Sequence, residues 1–195
     1  MALITLPTWF KPRACSLVQS TNQRVNASPF GGSEQAIDLL NDRWLMTCEL
    51  TASKRDAAAA IEAFINSMRG QTNTVALYHF ARQNVRGTIA GAKTLSASAA
   101  QGASSISITA TTGTTLLAGD MIGVGGLLLM VAADATASAG VMSVSITNRL
   151  RVALSSGAAV TTSKPTSTFR MLGNSGVSYV PGYANTVSFD FGEAI

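Results

Sequence analysis

The reactive groups of this 195-residue chain are one histidine, two cysteines and ten acidic residues. A lone imidazole, His79, cannot build a histidine metal cluster or a pair of catalytic imidazoles. A Ser-His-Asp triad would have to use it, yet His79 lies inside the strand-like run "ALYHFA" and no G-x-S-x-G elbow occurs. A structural role is expected. Glu49, Glu62, Asp38 and Asp42 are the carboxylates available for a glycosidase-type pair. Asp38 and Asp42 flank a turn and Glu62 falls on the polar face of a helix, so solvated positions are expected. Cys15 and Cys48 lack metal-ligand spacing and are read as two free thiols, a disulfide being unforced. No EF-hand or HExxH pattern is present. No catalytic residue, cofactor or metal is therefore assigned.

The glycine-rich stretch "LLAGDMIGVGGLLLMV" (116–131) offers a second kind of chemistry, phosphate binding. It fails both tests. Gly123, Gly125 and Gly126 run into "LLLMVAAD" with no third glycine in place, no acidic residue about twenty positions on, and no G-K-[ST]. "GG" is read instead as the tight turn of a hairpin between "MIGV" and "LLLMV". "AGD" is read as a turn that aims Asp120 at backbone donors. The uncharged apolar run is too short for a membrane span.

The elements that must carry these residues read as mainly β with one helix. "EQAIDLLNDRWLMTCEL" predicts a strand pair turning at "ND", with Trp44 starting the return strand. An amphipathic helix is predicted over about 53–69. Ser53 is its N-cap, and Ala57, Ala60, Ile61, Phe64, Ile65 and Met68 share one face. Arg69 favours the C-terminal end, and Gly70 supplies the left-handed stop. "TVALYHF" and "NVRGTIAG" predict two further strands. At the far end Val187, Phe189 and Phe191 alternate with Thr186, Ser188 and Asp190, a half-buried strand expected to rejoin the first sheet.

Between Thr94 and Ser163 the composition shifts. The charged residues there are Asp120, Asp134, Arg149 and Arg151, amid Ser, Thr, Ala and Gly. Strand-like runs "SSISITA", "MIGVGGLLLMV", "VMSVSI", "RVAL" and "AAV" predict a small barrel or sandwich. The expected organisation is a β-barrel or split-sheet domain from 1–93 plus 165–195, with a small OB-like β-barrel inserted over 94–164. Arg149 and Arg151 alternate along one predicted strand and should point the same way.

Charged residues make up only 12% of the chain, against 47% hydrophobic. Such a surface suits a protein covered by copies of itself, or a β domain faced with Ser, Thr and Ala. The net charge of +4 comes from scattered basic residues with no run, so no specific nucleic-acid binding is expected. Candidate subunit-interface residues are Arg43, Trp44 and Arg69, because Trp and Arg dominate interface hot spots. A core Trp44 beside a surface Arg43, and an Arg69 that only caps the helix, remain open alternatives. The N-terminal "MALITLPTWFKPRAC" lacks a basic n-region followed by an apolar h-region, so synthesis in a cytoplasm is expected.

"NDRWLMTCEL", the Ala-rich helix, "FINSMRGQTNTVALYHFARQNVRGT" and the closing "FDFGEAI" resemble tail-tip proteins of long-tailed bacteriophages, in particular the distal tail (Dit-like) proteins. The middle segment is similar to a small β-barrel insertion of such proteins. The resemblance implies a structural virion protein at the tail tip, assembled in the host bacterial cytoplasm. It implies a ring, typically hexameric, joining the tail tube protein to the hub and receptor-binding apparatus, without enzymatic activity. Another tail ring component (tube or terminator) and a carbohydrate-binding module remain alternatives. The two Trp and three Tyr are widely separated for the latter.

Overall fold

A computed structural model describes residues 1–29, 31–52, 55–173, 175–179 and 185–194. The first part of the chain forms β1 (Leu3–Ile4), β2 (Ala14–Ser20), β3 (Gln23–Ala27), β4 (Glu34–Asp38), β5 (Arg43–Ala52), helix α1 (Arg55–Met68) and β6 (Thr74–Leu77). The middle part adds β7 (Lys93–Thr94), β8 (Ser105–Thr109), β9 (Thr115–Leu116), β10 (Met121–Val124) and β11 (Leu127–Met130). It ends with β12 (Ala135–Thr136), β13 (Val141–Ser145) and β14 (Ala159–Thr161). The chain returns through β15 (Ser167–Leu172) and β16 (Asn185–Glu193).

Among the described residues the protein is mainly β with one helix. Its largest sheet has six strands in the order β1-β6-β15-β16-β5-β2. The two returning strands thus sit at its centre, between β6 and β5, which lie far earlier in the chain. Strict alternation explains the placement. Val187, Phe189 and Phe191 on β16 lie opposite Leu50, Cys48 and Met46 on β5, and all six are buried. Thr186, Ser188 and Asp190 point to the other face and are exposed. Against the buried face packs α1, through Ala58, Ile61, Phe64, Ile65 and Met68. Phe10 is the hub of this core, with ring centroids 5.5 Å from Phe64, 5.7 Å from Phe80 and 6.0 Å from Phe189.

The helix is close to its predicted span; the Ser53 cap lies outside the described residues. Arg69 has already left the helix, at φ 49°, and Gly70 follows at φ 63°. Other expectations are corrected. β4 does not pair with β5: it pairs with β3, because both edges of β5 are taken by β2 and β16. "NVRGTIAG" is not a strand. Its backbone is drawn to several partners instead: Val85 N–H to the Thr162 carbonyl, Ile89 N–H to that of Thr115, and the amides of Arg86 and Gly87 to Asp120. "RVAL" makes one bridge, Leu154 to Ala99, and Arg149 and Arg151 reach different partners.

The middle part has its own apolar cluster, with Ile106, Ile108, Leu116, Leu129, Met142 and Val144 at its centre. It is walled by a four-stranded sheet, β11-β10-β14-β7, and by the two-stranded pairs β12-β9 and β13-β8. Neither part closes into a barrel among the described residues. Two-residue strands and single bridges such as Leu95–Ile108 and Val131–Ile146 stand where continuous ladders would be needed for closure.

The run 121–131 is the predicted hairpin. Val124 faces Leu127 across Gly125 and Gly126, at φ 57° and 81°, the left-handed pair that a type I′ turn requires. Its unbroken apolar character has a structural cause. Met121 and Leu128 face the first core, whereas Ile122, Val124, Leu127 and Leu129 face the second. The hairpin is a wall shared by two cores, buried on both sides as central strands of layered sheets are.

Candidate functional site

A hairpin buried on both faces creates an edge problem: β11 ends its sheet, yet its edge is covered by protein. Side chains solve it. The Trp44 indole N–H donates to the Leu128 carbonyl at 2.7 Å, and the Asn148 amide donates to the same oxygen at 3.0 Å. Asn148 Oδ1 in turn accepts from the Met130 N–H at 3.2 Å. Trp44 is 1% exposed, so it anchors the fold from within.

Directly beside this edge lies a buried ionic junction. Glu193 Oε1 accepts from Arg151 Nη2 at 2.7 Å and from the Ser167 hydroxyl at 2.6 Å. Its Oε2 accepts from Arg151 Nη1 at 3.0 Å and from the Trp44 N–H at 3.1 Å. The two side chains are 10% and 1% exposed. A carboxylate so deeply desolvated persists only because two-pronged Arg151 and two neutral donors saturate it. Arg151 comes from the middle part and Glu193 from the last strand, so the junction ties the returning sheet to the inserted segment.

A second junction gathers on Asp120. Its Oδ1 accepts from the Arg86 N–H at 2.9 Å and from Arg86 Nε at 3.2 Å; its Oδ2 accepts from Leu117 N–H at 2.9 Å and Gly87 N–H at 3.1 Å. Burial alone would raise the carboxyl pKa, but the backbone amides of Arg86, Leu117 and Gly87 and the Arg86 side chain outweigh it and hold it below the ordinary value. The predicted turn toward backbone donors is what forms. Gly87 must be glycine here. A Cβ at that position would fall on the Thr115 carbonyl, so Gly87→Ala is expected to cost about 2 kcal/mol or more. A wild-type midpoint in urea for that variant would contradict this packing.

His79 is buried just beyond the end of β6 and is not mid-strand. The Arg82 amide lies 3.1 Å from its Nδ1, and Arg82 Nε lies 3.3 Å from its Nε2. Burial and the Arg82 charge depress its pKa, which keeps the imidazole neutral. Of the carboxylates considered for acid–base work, Glu62, Asp42 and Asp38 are engaged elsewhere. Glu62 accepts from the Tyr179 hydroxyl at 2.7 Å, and Asp42 accepts from Gln19 and from the Asn22 amide. Asp38 meets Arg149 at 3.3 Å, and Glu49 stands half-buried opposite Ser188. No group of three or more metal-ligating side chains forms among the described residues. No described helix is long and apolar enough to cross a membrane.

No family model matches the chain, and no curated protein matches it.

Of the three candidate interface residues, Arg43 and Arg69 are exposed and Trp44 is internal. Arg43 lines an open depression of about 230 Å³ with Ser20, Thr21, Asn22 and Asn41. Arg69 lines another of about 220 Å³ with Ile65, Asn66, Gly70, Met171 and Ser175. The two depressions share no residue. Arg43 sits beside a feature that sequence reading overlooked: the β3–β4 hairpin, in which every residue of both strands is exposed. Polar contacts hold its base, where the Leu39 N–H donates to the Asn22 carbonyl and Asn22 N–H to Asp42. Val25 is 52% exposed and Leu39 48%. A missed signal for Glu193 did exist. The period that buries Val187, Phe189 and Phe191 continues onto residue 193 and so places a carboxylate on the apolar face.

Proposed function

We propose that this chain is a structural assembly protein of a phage tail tip, which forms a ring with copies of itself between the tail tube and the hub. The observation that carries the assembly part of this reading is the β3–β4 hairpin. A two-stranded ribbon with both faces in water is marginal by itself. Here it projects Val25, Ile37 and Leu39 to solvent while its base is fixed by polar contacts. A hairpin of this kind gains its missing cover from a neighbouring subunit. The sparse charge of the chain, 12% of residues, supports the same reading. Placement at the tail tip rests on the sequence resemblance alone, and so do the tube and hub partners.

The test removes the hairpin. A variant in which residues 23–38 are replaced by a short Gly-Ser turn is expected to keep the circular dichroism spectrum and cooperative melting of the parent. It is expected to sediment as a monomer where the parent forms a closed oligomer. Equal oligomers from parent and variant would refute the hairpin as the joint.

A further inference from the structure

Cys15 and Cys48 are directly opposed across β2 and β5, and their sulfurs are 3.7 Å apart with no bond between them. Opposed residues of an antiparallel pair have Cα atoms about 4.5 or 5.5 Å apart, and both spacings fall within the range that disulfides span. Closing the remaining gap therefore needs side-chain rotation and no backbone movement. The two thiols are also unequal. Cys15 lies on the outermost strand of the six-stranded sheet and is partly exposed, whereas Cys48 is fully buried beside Phe189. We propose that Cys15 and Cys48 form a redox-active dithiol in which Cys15 attacks soluble disulfides and Cys48 resolves the adduct into an intrachain Cys15–Cys48 bond.

The chemistry balances with a small-molecule disulfide as oxidant. The Cys15 thiolate attacks one sulfur of the oxidant, forming a mixed disulfide and expelling one thiolate. Cys48 then loses its proton to solvent and attacks the Cys15 sulfur, expelling the second thiolate. The protein dithiol is oxidised by two electrons and the reagent is reduced to two thiols. The electrostatics assign the same order of attack. A hydrogen bond from the Cys48 thiol lowers the Cys15 pKa; burial opposes this and the Phe80 backbone reinforces it. Cys48 is pushed up by that same bond to Cys15 and by burial, and stays a protonated donor until Cys15 is capped. The loop that this bond closes contains the entire β3–β4 hairpin, so oxidation fastens the strand from which the hairpin departs.

The experiment treats the native full-length protein with the aromatic disulfide dithiobis-nitrobenzoate and follows release of thionitrobenzoate. The expected result is two anions released per chain, no retained label, and a monomer mass lower by two hydrogens. The oxidised protein should melt about 5–10 °C higher than the reduced one. Cys48→Ala should release one anion and retain one label at Cys15. Cys15→Ser should leave the native protein unreactive. Retention of label by the parent, failure of the native parent to react, or a disulfide-linked dimer would each overturn the proposal. The stoichiometry of the parent decides the matter even where a variant fails to fold.

Discussion

Arg151→Met lowers the unfolding free energy by about 3–5 kcal/mol, because it strands the Glu193 carboxylate inside the protein. The loss is large for a physical reason. Glu193 is 1% exposed on its side chain and receives two of its four hydrogen bonds from Arg151. Water cannot reach in to replace them without opening the seam between the last strand and the inserted segment. Removing both charges has a different outcome. Arg151→Met combined with Glu193→Leu should recover part of the loss, since apolar groups of similar volume often substitute for a buried pair at little cost, while the buried Trp44 N–H loses its acceptor on Glu193. Urea unfolding of the two variants checks the pair. A single variant within about 1 kcal/mol of the parent would place Glu193 in contact with solvent.

Asp120→Asn is the second large effect, about 3–4 kcal/mol. Four donors converge on this carboxylate, two on each oxygen. An asparagine can satisfy one pair through its carbonyl, but its NH2 group then faces N–H groups of the other pair. The same site sets an acid limit. The folded-state pKa of Asp120 lies below the unfolded value, so its contribution is complete above the ordinary carboxylate range and is lost as pH falls through the folded pKa. His79 adds to acid sensitivity at higher pH. Its folded pKa is depressed, so the unfolded chain takes up a proton first and stability declines as pH drops below the ordinary histidine value. Thermal melts of the parent and of Asp120→Asn should draw together as pH falls below the ordinary carboxylate range, because the unfolded parent then takes up a proton that the folded Asp120 resists. A constant gap down to pH 3 would contradict the assignment.

Where one face of a strand is buried, the sequence was readable. Alternation found β16 and its return to the first sheet, helical spacing found α1, and the Gly125–Gly126 pair found its hairpin with the correct turn. The orientation of Asp120 followed from turn chemistry. What failed were pairings decided by competition. Nothing local says that both edges of β5 are taken, so β4 was assigned to the wrong neighbour. "NVRGTIAG" and "RVAL" carry strand-like composition, but long-range polar partners, Asp120 and Glu193, claim their amides and side chains. The doubly apolar run 121–131 looked like two ordinary strands; its position between two cores depends on elements far away in the chain. The exposed β3–β4 hairpin was also hidden, because Val25, Ile37 and Leu39 carry the apolar signature of a buried strand although the chain leaves all three exposed.

Negative-stain electron microscopy of the purified protein at high concentration tests the assembly reading most directly. Closed rings of uniform size should dominate the particles, with a central opening and the β3–β4 hairpin at each joint between subunits. A uniform field of single subunits, unchanged by removal of the hairpin, would show that the exposed ribbon is not a joint and that the chain does not work by packing against its own copies.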